Sequence, residues 1–185
     1  MKKLIITTLV IASALTITYF SSTELTSAEN QESVYKVNTV AKAEKSRLID
    51  FTYDDNGTEK SFSDIAKGKI VFLNFWGTWC PPCRGEIPDI IKMQKDLEGK
   101  DVLIAGVALE RPSTKDKLTR VSNFHSKNKM NYINFVDEDN LLNKAYGPMR
   151  FVPTTLIINR DGDIVEVIQG ARSYEQFMKS IKKAL

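Results

Sequence analysis

The chain is poor in the residues on which many protein sites depend. Among its 185 residues are only two cysteines and one histidine. A structural zinc site takes four such ligands, and Cys80, Cys83 and the distant His125 do not supply them. The net charge of +3 is too small to indicate a nucleic-acid partner. We therefore expect no metal, no cofactor and no nucleic acid.

The sequence has one long apolar run, near its start. Lys2 and Lys3 precede a mostly apolar stretch at 4–20, and a short polar stretch with small residues follows at 21–28. This pattern predicts that residues 1–28 are a signal peptide or an uncleaved N-terminal membrane anchor. The run is short and rich in threonine for a bilayer span, which favours the signal peptide. Either one places the rest of the chain outside the cytoplasmic membrane, in the periplasm or at the membrane's outer face.

Residues 29–46 are polar and charged, with little periodicity, and we predict that they form a linker before the domain. The alternative is that the few valines of this segment add a local strand. The domain itself is predicted over residues 47–185.

Both cysteines belong to one stretch, at 69–91. An apolar run ends at Trp76-Gly-Thr-Trp79, Cys80-Pro81-Pro82-Cys83 follows, and apolar residues then recur at helical spacing. A buried strand that leads into Cys-x-x-Cys at a helix start is typical of a thioredoxin-type redox site.

The chemistry of such a site follows from its place on the helix. Free N–H groups and the positive end of the helix dipole stabilise a thiolate and lower its pKa. Cys80, at the first position, is therefore the predicted nucleophile, and Cys83 lies one turn further in. The alternative is a purely structural disulfide. A four-residue loop would then contribute only about 2 kcal/mol, which a domain of this size does not need.

Two stretches resemble the TlpA/ResA family of extracytoplasmic thioredoxin-like thiol:disulfide oxidoreductases. They are N-F-W-G-T-W-C-P-P-C-R-G-E-I-P at 74–88 and Y-G-P-M-R-F-V-P-T-T-L-I-I-N at 146–159. The resemblance implies an α/β thioredoxin fold, with a mixed central sheet flanked by helices, an N-terminal β-hairpin and a central insertion.

The local patterns agree with that fold. An Asp55-Asn56-Gly57 turn signal predicts a hairpin over 47–62. The alternation of later strands and helices predicts parallel crossover connections. The other predicted strands cover 69–75, 102–109, 132–136, 154–159 and 164–168, and the predicted helices cover 80–97, 113–128, 140–146 and 173–184.

The resemblance also implies roles for individual residues. It assigns a redox disulfide to Cys80 and Cys83 and a proton-handling role to Glu86. A partly buried carboxyl group with a raised pKa suits that role, whereas the alternative is an exposed glutamate in the first helical turn. It further implies a cis Val152–Pro153 bond opposite the cysteines. The predicted substrate-binding residues are Trp79, Pro81, Pro82, Val152, Pro153 and Thr154.

The function that we predict is reduction of disulfides in partner proteins by a monomer that receives electrons from a membrane-embedded thiol donor. Cytochrome c maturation is one setting implied by the family. A disulfide oxidase or isomerase remains the alternative. Haem attachment requires histidine where Arg84 stands, and a copper chaperone requires wider cysteine spacing and a supporting histidine. A peroxiredoxin-like peroxidase carries its reactive cysteine in a different local pattern.

Overall fold

The computed structural model describes residues 33–44, 46–111 and 113–184. The predicted signal peptide or anchor, residues 1–28, lies outside the described residues. Within those ranges, no helix is both long enough and apolar enough to cross a bilayer. In chain order the strands and helices are β1 (Val34–Val40), β2 (Phe51–Asp55), β3 (Thr58–Ser61), α1 (Phe62–Ala66), β4 (Ile70–Trp76), α2 (Pro81–Asp96), β5 (Val102–Ala108), α3 (Lys117–Lys127), β6 (Ile133–Val136), α4 (Leu141–Ala145), β7 (Thr154–Ile158), β8 (Ile164–Gln169) and α5 (Tyr174–Lys183).

The strands form one mixed sheet in the order β3-β2-β1-β6-β5-β4-β7-β8. The pairs β4–β5, β5–β6 and β1–β6 are parallel. The other neighbouring strands are antiparallel, including the β2–β3 hairpin and the β4–β7 pair. The predicted α/β fold with its N-terminal hairpin is confirmed, and α3, β6 and α4 form the insertion between β5 and β7.

Strand β4 lies between the two halves of the core, and all seven of its residues are buried. Because side chains alternate along a strand, Phe72 and Trp76 pack on one face, with apolar residues of α2, α3 and α5. Leu73 and Phe75 pack on the other face, with an aromatic cluster contributed mainly by β2, α1 and β6. Asn74 belongs to the same alternating set as Phe72 and Trp76, so a polar side chain lies beneath α2.

The prediction of a linker over 29–46 is wrong for Val34–Val40, which forms strand β1. This strand pairs with β6 on one side and with β2 on the other. Val34 and Val37 are buried, while Lys36 forms an ion pair with Glu138 at 2.9 Å. The sequence conceals the strand because its partner β6 lies about a hundred residues away and its own apolar positions are sparse.

Candidate active site

The two cysteines form a disulfide at the start of α2. Cys80 is the N-cap residue, and its Sγ accepts a hydrogen bond from the backbone N–H of Cys83 at 3.3 Å. Pro81 and Pro82 have no N–H, so the N–H of Cys83 is the first that the helix offers. When the pair is reduced, the Cys80 thiolate would accept that hydrogen bond at the positive end of the helix dipole, which lowers a thiol pKa.

The loop before β7 lies directly against Cys80. The Val152–Pro153 peptide bond is cis, and the carbonyl oxygen of Val152 lies 3.6 Å from Cys80 Sγ. Two hydrogen bonds anchor the loop: Thr154 Oγ1 donates to the Phe151 carbonyl at 2.8 Å, and the Gly170 N–H donates to the Pro153 carbonyl at 2.8 Å. The nucleophile predicted from the sequence therefore faces the proline loop.

A groove of about 480 Å³ opens beside Cys80. Four of the predicted substrate-binding residues line it, together with apolar and charged neighbours. Pro153 is buried behind the groove, and Thr154 holds the loop from below without lining it. The lining residues are Trp79, Cys80, Pro81, Pro82, Leu109, Glu110, Arg111, Asn140, Asn143, Met149, Arg150, Phe151 and Val152.

The groove distinguishes the cysteines better than their exposure does. Cys80 is 2% exposed and Cys83 is 1% exposed in the disulfide form. Only Cys80 contributes to the groove lining. The two cysteines thus differ in their position relative to the groove rather than in their exposed area.

Trp79 forms the wall of the groove next to Cys80. Its Nε1 donates to the Leu109 carbonyl at 2.9 Å, which fixes the ring although the residue is 37% exposed. The Arg111 guanidinium lies 4.9 Å from the centre of the indole ring. An exposed but fixed aromatic ring is suited to contact with a partner protein.

Glu110 is a residue of the site that the sequence reasoning missed. Its Oε1 accepts the Thr78 N–H at 2.8 Å, and its Oε2 accepts the Thr78 hydroxyl at 3.0 Å. Arg120 Nε lies 3.4 Å from the same Oε2 and donates to Thr78 Oγ1 at 3.0 Å. These contacts hold the loop that carries Trp79 and Cys80. The sequence held one signal for this role. Glu110 closely follows the apolar run of β5, and the carboxyl ends of the parallel strands β4 and β5 meet at the edge of the sheet where the cysteines lie.

Glu86 is buried beneath the loop between β4 and α2, residues 77–80, with 2% exposure. Its Oε1 accepts a hydrogen bond from Asn74 Nδ2 at 2.9 Å, whereas Oε2 has no hydrogen-bond partner among the residues that the structure describes. Burial raises the pKa of Glu86 to about 7, although the Asn74 hydrogen bond opposes the rise. The backbone N–H and the positive charge of Arg172 also oppose it, although that N–H does not meet hydrogen-bond geometry with either carboxyl oxygen. The alternative of an exposed first-turn glutamate is excluded.

Trp76 has a structural place in the core rather than a place in the groove. Its Nε1 donates to Asn134 Oδ1 at 3.0 Å, and both residues are buried. Gly106 makes this possible, because a Cβ there would lie 2.1 Å from Asn134 Oδ1. Glycine at 106 is therefore required by the Trp76–Asn134 hydrogen bond.

The acidic stretch at 137–139 supports the proline loop. Asp137 accepts hydrogen bonds from the N–H groups of Leu141 and Asn143 at 2.7 and 2.8 Å, so it caps α4. Asn143 Oδ1 then accepts the Met149 N–H at 2.8 Å. No group of three or more potential metal-ligating side chains occurs in the described ranges.

Comparison with known proteins agrees with this geometry. The AhpC/TSA family matches residues 45–167. The thiol-disulfide oxidoreductase ResA of Bacillus subtilis is 37% identical over 117 residues, which make up 63% of this chain and 62% of that protein. The chain thus covers less than two thirds of the length of this relative.

Two solved structures extend the comparison. A thiol:disulfide interchange protein of the thioredoxin family from Chlorobium tepidum is 30% identical, with a TM-score of 0.64 over 78% of this chain and 99% of that one. The pneumococcal exposed lipoprotein thioredoxin from Streptococcus pneumoniae is 27% identical, with a TM-score of 0.56 over 69% of this chain and 93% of that one. The thioredoxin fold and the resemblance to ResA are confirmed.

Proposed function

Because the chain belongs to the AhpC/TSA family and is similar to ResA, we propose that it is a thiol-disulfide oxidoreductase that reduces partner proteins outside the cytoplasmic membrane. One observation carries the proposal. The Cys80–Cys83 disulfide lies at the helix start, and Cys80 faces both a groove and the cis-proline loop.

The reaction begins with the reduced pair. The Cys80 thiolate attacks one sulfur of a partner disulfide, and the second partner sulfur leaves as a thiolate. Cys83, deprotonated, then attacks Cys80 Sγ, which releases the first partner sulfur and forms the Cys80–Cys83 disulfide. Two electrons pass from the pair to the partner.

Glu86 serves as the acid–base group in this scheme. A carboxyl group with a pKa of about 7 exchanges a proton readily near neutral pH, so it suits the deprotonation of a thiol during the second step.

Val152 contributes to the binding of the partner protein through its backbone. Its backbone N–H has no hydrogen-bond partner in the described part of the chain, and an extended partner segment would pair with it beside Cys80.

The proposed location rests on the N-terminal sequence and on the relatives. The positively charged and apolar residues at 1–28 have the pattern of a signal peptide or anchor. A solved relative is described as an exposed lipoprotein. A reductase in that compartment requires electrons from across the membrane, which favours a membrane-embedded thiol donor. Cytochrome c maturation, with a monomeric reductase that reduces a disulfide of apocytochrome c to its two thiols, is the setting that we propose.

The decisive experiment is capture of the mixed disulfide. Reduced Cys83→Ala protein, mixed with a peptide that contains a Cys-x-x-Cys disulfide, should accumulate a Cys80-linked adduct that mass spectrometry detects, because the resolving thiol is absent. The matched control, Cys80→Ala, should accumulate little. Absence of the adduct, under conditions in which a thioredoxin variant with one cysteine captures the same peptide, overturns the assignment of Cys80.

The direction of electron flow requires a separate measurement. Equilibration of the Cys80–Cys83 pair in thiol buffers, followed by tryptophan fluorescence, yields its reduction potential. A value near that of thioredoxin, about −270 mV, supports the reductase. A value near −120 mV, as for a strong oxidant, would make the protein a disulfide donor instead.

A further inference from the structure

Asn74 connects the buried carboxyl group of Glu86 to the strand that follows the cis-proline. Its Nδ2 donates one hydrogen bond to Glu86 Oε1 at 2.9 Å and another to Thr155 Oγ1 at 3.0 Å. All three residues are buried, with 2%, 2% and 1% exposure for Asn74, Glu86 and Thr155. An amide nitrogen has two hydrogens, and both are used here.

Regular structure fixes this bridge at each end. Asn74 in β4 and Thr155 in β7 are register partners in the antiparallel pair, so their side chains lie side by side on one face of the sheet. Glu86 lies in α2, which packs on that face. A site held by two strands and a helix is more rigid than one held by loops.

We propose that Asn74 is a positioning residue, which holds Glu86 Oε1 as a hydrogen-bond acceptor and thereby assigns the exchanging proton to Oε2. This inference rests on the proposed function, in which Glu86 handles protons. A proton on Oε1 would point at the Asn74 N–H and break the hydrogen bond, whereas a proton on Oε2 leaves it intact. Oε2 is also the buried oxygen for which no partner is found among the described residues.

Other charged and titratable groups lie around Glu86. The backbone N–H and the positive charge of Arg172, ahead of α5, lower the pKa of Glu86, and Asp89, on α2, raises it. Tyr132, ahead of β6, is buried, and Glu86 contributes to the raised pKa of its hydroxyl group. Burial has the largest effect on Glu86, and the Asn74 hydrogen bond is the largest effect that opposes it. Loss of that hydrogen bond should therefore raise the pKa of Glu86 further.

The test is Asn74→Leu, which keeps the shape of the side chain without its N–H groups. In the oxidised protein, the ¹³C resonance of the Glu86 carboxyl group should titrate about one pH unit higher than in the wild type, as expected for loss of a hydrogen bond to an ionised group. The pH profile of disulfide exchange should shift in the same direction. With Glu86→Gln already present, Asn74→Leu should leave that profile unchanged.

Asn134→Leu is the matched control. Asn134 is as buried as Asn74, but its hydrogen bonds go to Trp76 and to the Tyr132 carbonyl. It should destabilise the fold while the Glu86 titration stays at its wild-type value. Thr155→Val provides a second test if Asn74→Leu does not fold. It removes the other partner of the Asn74 amide, and the Glu86 titration should move upward by a smaller amount.

An unchanged Glu86 titration in the folded Asn74→Leu protein, or in Thr155→Val where the former does not fold, overturns the proposal. The titration does not depend on enzymatic activity. A protein that titrates as expected but captures no disulfide peptide would therefore refute the proposed function alone. A protein that exchanges disulfides while its Glu86 titration ignores Asn74 would refute the positioning role alone.

Discussion

Two buried glutamates flank the loop at residues 77–80, and their surroundings differ. Glu110 is 4% exposed, and both of its oxygens accept hydrogen bonds from Thr78, with Arg120 close by. Glu86 is 2% exposed, and only one of its oxygens has a partner among the described residues. Buried polar atoms are nearly always satisfied, so an exception calls for an explanation, and proton exchange is one.

Asp137 shows that burial alone does not make the difference. Burial raises its pKa as it raises that of Glu86, but backbone N–H groups from α4 oppose the rise. Both of its oxygens cap the helix. We infer that Glu110 and Asp137 hold the segments that border the groove, whereas Glu86 is left available for chemistry.

The largest expected effect is on Glu110. Glu110→Leu should lower the free energy of unfolding by about 4 kcal/mol, because the Thr78 N–H and hydroxyl lose their acceptor in a buried place. Urea denaturation at pH 7 measures this loss. Glu86→Gln, the matched control, should instead raise the free energy of unfolding at that pH, by up to about 3 kcal/mol, because the neutral amide removes the cost of ionising a buried carboxyl group whose pKa is about 7. Equal losses in the two variants would remove the distinction between the glutamates.

The next effect is the pH dependence of stability. Burial raises the pKa of Glu86 to about 7 from the ordinary value of 4.5. Between these values the folded protein binds a proton that the unfolded chain releases. The contribution of the protonated Glu86 carboxyl group to stability is therefore fully present below pH 4.5 and is lost as the pH rises through 7. The difference is about 3 kcal/mol.

Urea denaturation of the oxidised protein across pH 4 to 8 tests this linkage. The curve of wild type minus Glu86→Gln should fall with rising pH. Burial lowers the pKa of His125, so protonation of this residue reduces stability as the pH falls below 6.5, which is the opposite pH dependence to that of Glu86. Because His125 is present in both proteins, its effect cancels in the difference curve. A flat difference curve would mean that folding does not raise the pKa of Glu86.

The sequence was sufficient to place the Cys80–Cys83 pair at the start of a helix because the determinants of that placement are local. A strand, two cysteines one helical turn apart and prolines that suit a first turn all lie within residues 69–91. The later alternation of apolar runs and helical patterns was likewise enough for β5, β7, β8 and α5. Asn74 also left a local sign, since a polar residue interrupts the apolar run of β4.

The remaining features depend on residues that are distant in sequence. β1 takes its place through pairing with β6, and its short, half-polar pattern does not reveal a strand with neighbours on both sides. The role of Glu110 depends on Thr78, 32 residues earlier, and the Asn74 bridge depends on Thr155, 81 residues later. Contacts of this kind follow from the sheet order, which no single stretch of sequence specifies.

The smallest expected effect distinguishes Arg111 from Arg120, which contact neighbouring residues of the loop between β4 and α2. Arg111 lies over the exposed ring of Trp79, and such a cation–π contact contributes about 0.5–1 kcal/mol at an exposed site. Arg111→Ala should therefore change the fluorescence of Trp79 with little loss of stability. Arg120→Ala, the matched control, should cost more, because Arg120 contacts the Thr78 hydroxyl and the buried Glu110. Urea denaturation of the two variants compares their losses in the free energy of unfolding. If Arg111→Ala loses as much as Arg120→Ala, then Trp79 belongs to the structural network around Glu110 and does not serve only as a wall of the groove.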